Sequence, residues 1–259
     1  MKMMQSRVLS AVCCMILWTG CSVKENREAC PCRLYLDFGN GFGGIAANAD
    51  LAVFSENGFL HSDKIGADVE HDEYMVMVPR SGVRVNVCCG AEGYLGSEGS
   101  VAIPSGSGCP RVYMHSSYVD TGEDVACARV AMHKNHCVIT VNVGESEFPY
   151  SLNVRGDIAG YDRTGQPSAG EFTCLVHPDS EGMCTVSVPR QIDRTLVLDV
   201  DDGTNVLKTF ALGEYVAESG YDWNAENLED ITIGLDYSLS HITLKVDGWD
   251  KELQFNVEI

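Results

Sequence analysis

The chain has 259 residues, with 37 Asp and Glu against 18 Lys and Arg, for a formal charge of −19. Phosphate binding needs clustered cations, so this balance excludes nucleic acid as a partner. The acidity otherwise means a soluble, self-repelling surface.

Lys2 and Arg7 precede an apolar run over 8–18 that ends in Thr19-Gly20-Cys21, the pattern of an export signal over residues 1–20. The run is too short for a spanning helix, which takes about 20 apolar residues, and no later segment comes close. Gly20-Cys21 puts a thiol directly after the cleavage point, as in bacterial lipoprotein signals, so Cys21 is the expected lipid-attachment residue. Such signals usually carry Leu three positions before the Cys; Trp18 stands there, with Leu17 one further away. The alternative is ordinary secretion with a free or disulfide-bonded Cys21. Two or three acyl chains make a lasting anchor where one is marginal. Removal of Lys2 and Arg7 with the signal takes the formal charge to −21, so attachment to a membrane is through lipid, not electrostatics.

The remaining 238 or so residues suit one large all-β domain or two of ordinary size. Period-2 alternation recurs and helical periodicity does not. In "RLYLDF" Leu34, Leu36 and Phe38 share a face; in "VRVNVCC" Val83, Val85, Val87 and Cys89 do, which sends Cys88 to the other side. "CVITVNV" repeats the pattern through Cys137, Ile139, Val141 and Val143, "ITLKV" through Ile242, Leu244 and Val246, and the terminal "LQFNVEI" through Leu253, Phe255, Val257 and Ile259. Turn residues at 56–58, 79–82, 133–136, 201–203 and 247–248 fall at hairpin spacing. Glycine-rich stretches at 39–48 and 90–108 read as long loops. The break at 144–149 predicts a division into an N-terminal sandwich over 21–146 and a C-terminal one over 147–259, and a short helical turn is expected at 224–229. Each half holds about seven strand-like segments, which suits two Greek-key β-sandwiches.

Nine cysteines remain beside Cys21: Cys30, Cys32, Cys88, Cys89, Cys109, Cys127, Cys137, Cys174 and Cys184. An odd number precludes a complete set of internal disulfides, and buried Cys is a common small apolar filler, so several are expected as core thiols. Cys30 and Cys32 lie two apart on the expected first strand, hence on one face. No second pair with zinc-like spacing accompanies them. Cys174 and Cys184 flank 177–182 and share a face with Phe172, Val176, Val186 and Val188; a disulfide and two packed thiols both remain open.

Chemistry is sparse. The sequence contains no nucleophile elbow, no His-Glu-x-x-His, no phosphate loop and no dinucleotide fingerprint. No enzymatic activity, metal or cofactor is expected. His133 and His136 bracket Lys134-Asn135 and read as a turn instead of a metal site. "DVDDGTN", 199–205, has Gly203 at the fifth position where a calcium-binding EF-hand loop has Gly at the sixth, so it reads as a hairpin turn. An enzyme built on one of the cysteines lacks an assignable His and acidic partner. Function is therefore expected from sheet edges and surface.

Five stretches, "CSVKENREACPCRLYLDF" (21–38), "RVYMHSSYVDTGED" (111–124), "FPYSLNVRGDIAGYD" (148–162), "LGEYVAESGYDWNAENLEDI" (212–231) and "ITLKVDGWDKELQFNVEI" (242–259), resemble the FimB-type fimbrial anchor subunits of Bacteroidetes type V fimbriae. The resemblance implies two tandem transthyretin-like β-sandwiches in an outer-membrane lipoprotein, acylated (palmitate included) at Cys21, with "SVKENRE" as its export patch. It also implies a seat at the fimbrium base, where the subunit holds shaft subunits and limits shaft length. Such fimbriae assemble by strand exchange, with main-chain hydrogen bonds giving affinity and alternate side chains giving register. In related shaft subunits an Arg-specific protease cuts behind the first strand; here no Arg occurs from 34 to 79 and Lys64 is the one Lys there, so the first strand is expected to stay attached to its lipid. The terminal strand is regular enough to complete its own domain, which favours a groove or edge that receives a shaft strand. The alternative function is a lipid-anchored glycan-binding or adhesive module, with Tyr94, Tyr113, Tyr118 and Trp249 as stacking platforms; core or hairpin roles for these aromatics are the competing explanation.

Overall fold

The computed structural model describes residues 30–39, 48–66, 74–96, 99–144, 148–236, 240–250 and 252–256. The signal segment, Cys21, most of the 39–48 loop and the last three residues of the terminal strand lie outside the described residues. Eighteen strands and one short helix are described among them. The strands are β1 (Cys32–Asp37), β2 (Ala49–Ser55), β3 (Gly58–Ile65), β4 (Tyr74–Val78), β5 (Val83–Cys89), β6 (Val101–Ala102), β7 (Tyr113–Val119), β8 (Val125–Arg129), β9 (His133–Lys134) and β10 (His136–Asn142). They continue as β11 (Ser151–Tyr161), β12 (Pro167–Val176), β13 (Met183–Pro189), β14 (Val197–Asp201) and β15 (Val206–Phe210), then helix α1 (Leu212–Ser219), then β16 (Ile231–Leu235), β17 (His241–Val246) and β18 (Glu252–Asn256). The tandem all-β sandwich expected from the alternation is the fold observed.

The same seven-strand plan is laid down twice. In the first sandwich one sheet has the order β4-β1-β8 and the other β3-β2-β5-β7, extended by β9. In the second the orders are β13-β10-β16, extended by β17 and β18, and β12-β11-β14-β15. Each sandwich thus begins with a strand that is antiparallel to the fourth strand of the plan and parallel to the seventh: β1 with β4 and β8, β10 with β13 and β16. No sequence repeat announces this, because the plan constrains only which positions alternate.

The expected division at 146/147 falls between β10 and β11, two strands of the second sandwich. The "CVITVNV" run, expected to close the first half, is β10 and opens the second, pairing with β13 and β16. The chain changes sandwich at Asn135, and the strands on either side of the 144–149 break, β10 and β11, both belong to the second sandwich. Alternation reveals a strand's inner face but not which sheet it joins.

Two cores follow. Leu34, Leu36, Leu51, Val53, Val83, Val85, Val87 and Cys89 pack together in the first. Ile139, Val141, Leu152, Val154, Leu198, Ile233 and Leu244 lie in the second, which also takes in Cys88, Val112 and Met114. The outer face of the β2-β5-β7 sheet is therefore half of an interface with the second sandwich. Arg190 ties that junction: its guanidinium donates to Asn135 Oδ1 at 3.0 Å, to the Ala225 carbonyl at 2.8 Å and to the Trp223 carbonyl. Tyr161 donates to the Asn135 carbonyl and accepts from the Arg190 amide at 2.8 Å.

Two local expectations also differ. The helix is α1, not 224–229: Leu212 and Val216 bury one face at i, i+4 spacing and Gly220 closes it in the left-handed conformation at φ 84°. Gly213 in its first turn lies so close to the Arg194 carbonyl that a Cβ would run into it. The described part of the 90–108 stretch reaches the second sandwich at β6, which pairs with the end of β11, and again at Gly106, whose amide donates to the Thr173 carbonyl at 2.8 Å.

Candidate strand-pairing site

The first strand is where the chain's end meets a sheet. β1 is hydrogen-bonded along both sides, with Leu34 opposite Val76 on β4 and Ala126 on β8, and Leu36 opposite Tyr74 and Ala128. Cys32, Leu34 and Leu36 point inward and are fully buried, and Phe38 follows them. The Arg33 amide donates to the Asp124 carbonyl at 3.0 Å, and the Val130 amide donates to Asp37 at 2.8 Å. Each fully buried large apolar side chain contributes about 1.5–3 kcal/mol, so three of them hold β1 with several kcal/mol before any backbone bond. The outward side is different: Met75, Met77 and Val125 are exposed beside it. Withdrawing β1 would leave an apolar groove between β4 and β8.

Open sheet edges are the second feature. β15 carries exposed Val206 (52%) and Leu207 (45%) at the margin of its sheet, and β3 carries exposed Phe59 and Leu60 at the margin of another. Edge strands with unpaired main-chain groups and apolar side chains are templates for a further strand. The terminal β18 is likewise at the margin of its sheet, paired in register with β17 from His241↔Asn256 to Lys245↔Glu252, and Phe255 stacks on Tyr215 at 4.7 Å. It completes its own sheet.

The cysteines do not converge on chemistry. Cys30 and Cys32 were expected on one strand face; β1 starts at Cys32, which is buried, whereas Cys30 precedes it and is exposed. Cys89 faces the first core and Cys88 the second, as the alternation requires. Burial pushes the Cys88 and Cys137 thiols up to about 12 and those of Cys89 and Cys184 up to about 11, the opposite of an activated nucleophile. Cys174 and Cys184 lie on β12 and β13, in different sheets, because 177–182 crosses between sheets and is not a hairpin turn. Both thiols pack in the second core.

Of the two turn candidates only 199–205 is a hairpin turn; 133–136 is the crossing between sandwiches, with its two histidines on strands of different sheets. His133 ends up on β9 and His136 starts β10, with the His136 ring bonded to the Val112 carbonyl at 3.1 Å. In the β14–β15 hairpin the Gly203 amide donates to Asp201 Oδ1 at 2.5 Å, and the Thr204 and Asn205 amides to Asp202 Oδ1 at 2.8 Å. The four expected sugar platforms are scattered. Tyr94 and Trp249 pack against the second core, Tyr113 against the first, and Tyr118 alone is widely exposed, at 63%.

Comparison with known proteins finds no matching family model and no matching curated protein. Solved structures do match over nearly the whole chain. The fimbrial anchor protein Mfa2 from Porphyromonas gingivalis has a TM-score of 0.59 at 10% identity, covering 85% of this chain and 98% of that one. A Bacteroides thetaiotaomicron structure provisionally assigned as polysaccharide-binding has a TM-score of 0.62 at 13% identity, covering 88% and 98%. A Bacteroides ovatus structure provisionally assigned as an adhesin has 0.58 at 13%, covering 90% and 97%. The chain shares the tandem-sandwich fold of these three structures over 97–98% of their length.

Proposed function

We propose that this chain is a lipid-anchored fimbrial subunit that holds shaft subunits at the outer membrane by β-strand pairing and limits shaft length. The observation that carries the reading is the position of β1. It is the first described strand after Cys21, the expected lipid-bearing residue, and it is built into the middle of its sheet with bonds on both sides. A chain tethered ahead of β1 transmits load straight into the first core. The absence of Arg from 34 to 79 leaves an Arg-specific protease no site at which to part β1 from β2, β3 and β4. The fold shared with Mfa2 supports the same reading. In this reading β1 keeps its own groove filled, and a shaft strand is received at an open edge, for which β15 with Val206 and Leu207 is the best suited.

Two measurements test it. Mass analysis of the N-terminal peptide of the mature protein should find Cys21 acylated; an unmodified thiol on protein recovered from the medium sinks the lipid anchor. Deleting the gene should release fimbriae from cells and lengthen them; cell-bound fimbriae of normal length sink the anchoring role.

A further inference from the structure

The outer face of the β4-β1-β8 sheet carries two adjacent cross-strand rows. In the first, Met77 on β4 lies opposite Arg33 on β1, and Arg33 opposite Val125 on β8; in the second the order is Met75, Tyr35 and Cys127. Met75 is 44% exposed, Met77 51% and Val125 43%; Arg33 and Cys127 are exposed too, and Tyr35 is half-buried among them. At strand spacings of about 4.8 Å and a rise of about 3.3 Å per residue, the patch measures about 10 by 7 Å between its outermost Cα atoms. Elsewhere among the described residues, large exposed apolar side chains occur singly or as neighbours along one strand, as at Phe59 and Leu60 or Val206 and Leu207. Here they come from three strands at once.

The patch offers apolar surface and no main-chain ladder. β1 is bonded along both sides, so an incoming strand finds nothing to pair with on this face. What can lie on it is a flat, deformable apolar layer. The two methionines are unbranched and adapt to such a surface. Arg33, and Arg129 two residues beyond Cys127 on β8, can keep their aliphatic stems in the layer while their guanidiniums stand at its polar margin. The acidic residue of β1, Asp37, lies beyond the two rows, opposite Arg129.

The chain's own attachment supplies the layer. Ten residues, 22–31, separate Cys21 from β1, and fully extended they span at most about 33–36 Å. They enter at the Cys32 end of β1, beside the Met77-Arg33-Val125 row, where β4 ends and β8 begins. A tether this short keeps the sheet within reach of any membrane that holds Cys21. Confinement on that scale gives an effective concentration of about millimolar, enough for a face of weak intrinsic affinity to engage.

We infer that this face rests on the bilayer, with Met75, Met77, Val125 and Cys127 at the boundary between phospholipid headgroups and acyl chains. The inference rests on the lipid-anchor reading. Apolar contact is its source, since a chain of formal charge −19 has no general attraction to a membrane.

The test is thiol alkylation of the acylated chain reconstituted in phosphatidylcholine vesicles, with a sulfonated maleimide that does not cross membranes and with the Cys127 peptide read by mass. The mature chain made without its acyl groups gives the unbound rate. An apolar layer withholds both the reagent and the thiolate, so Cys127 should react at least about tenfold more slowly on vesicles. A reporter introduced as Thr204→Cys, exposed in the β14–β15 turn, should react equally fast in both settings. Met75→Asp combined with Met77→Asp should return Cys127 to the unbound rate while the chain still floats with the vesicles; both side chains are exposed, so the variant keeps its thermal midpoint. Flotation separates the two readings. A chain with an unmodified Cys21 that does not float sinks the anchor and this inference with it, whereas a chain that floats with Cys127 reacting at the unbound rate overturns this inference alone. Slow alkylation of Cys127 in the unacylated chain, with a doubled mass by light scattering, also overturns it and gives the face to a second copy.

Discussion

Leu34→Ala is the sharpest probe of the first strand. Leu34 is fully buried in the middle of β1, with Val76 and Ala126 opposite it on the two neighbouring strands. Leu→Ala in a core costs about 2–5 kcal/mol, more where the surroundings cannot collapse. A site walled on both sides by sheet hydrogen bonds belongs in the upper half, about 3–5 kcal/mol. Domain stabilities are about 5–15 kcal/mol and urea slopes about 1–3 kcal/mol per molar, so the urea midpoint of the first sandwich should fall by about 2 M. Tryptophan fluorescence alone cannot follow this, because Trp223 and Trp249 both pack in the second sandwich. Amide hydrogen exchange of peptides covering β1, β4 and β8 can. Met77→Ala, on the outward side of the same sheet and 51% exposed, is the control and should change stability by no more than about 0.5 kcal/mol. A loss below about 1 kcal/mol for Leu34→Ala, or an equal loss in the control, would refute the argument that β1 is locked in place.

Arg190→Lys should lower stability by about 2–3 kcal/mol, because an ammonium cannot reproduce the fork that serves Asn135 and the Trp223 and Ala225 carbonyls; a thermal scan by tryptophan fluorescence reads it, and an unchanged midpoint disproves the junction's role. Burial lowers the pKa of His136 and His115 below the ordinary 6.5. Their unfolded forms thus take up protons first, and stability should be full above about pH 6.5 and fall as the pH drops towards 5. A profile that stays flat when His136→Asn is compared with the parent chain would count against burial as the cause. Ellman's reagent should modify Cys127 on β8 in the native state and leave Cys32, Cys88, Cys89, Cys109, Cys137, Cys174 and Cys184 unreacted until denaturant is added. Val206→Lys on β15 should blunt that edge, reducing capture of shaft subunits with no loss in thermal midpoint; undiminished capture would move the receiving edge elsewhere.

Much of the strand pattern was legible because alternation is a local signal. Cys88 and Cys89 are adjacent and reach different cores, as a period of two requires, and the Asp-rich 199–205 turn is a hairpin because Asp side chains cap their own backbone. What was not legible is non-local. "CVITVNV" has the same alternation whichever sandwich it joins, so the change at Asn135 could be placed only once its partners, β13 and β16, were known. The helix at 212–219 was hidden because its apolar face is only two residues long, and the 224–229 turn was more conspicuous. Cys30 and Cys32 were separated by where the strand begins, which spacing does not report. The Met77-Arg33-Val125 row joins three strands far apart in the chain, and the register of two strand pairings is needed to see it.

The placement of β1 has a mechanical consequence. Hydrogen bonds in a ladder run across the strands, so a pull along β1 from its N-terminal end meets all of its five-residue pairings with β4 and β8 at once instead of peeling them one at a time. A strand at a margin, gripped on one flank, would tear like a zip. A central strand resists in shear, so if the proposed anchoring role holds, the pull of a filament in moving fluid would meet the chain at its most tear-resistant point.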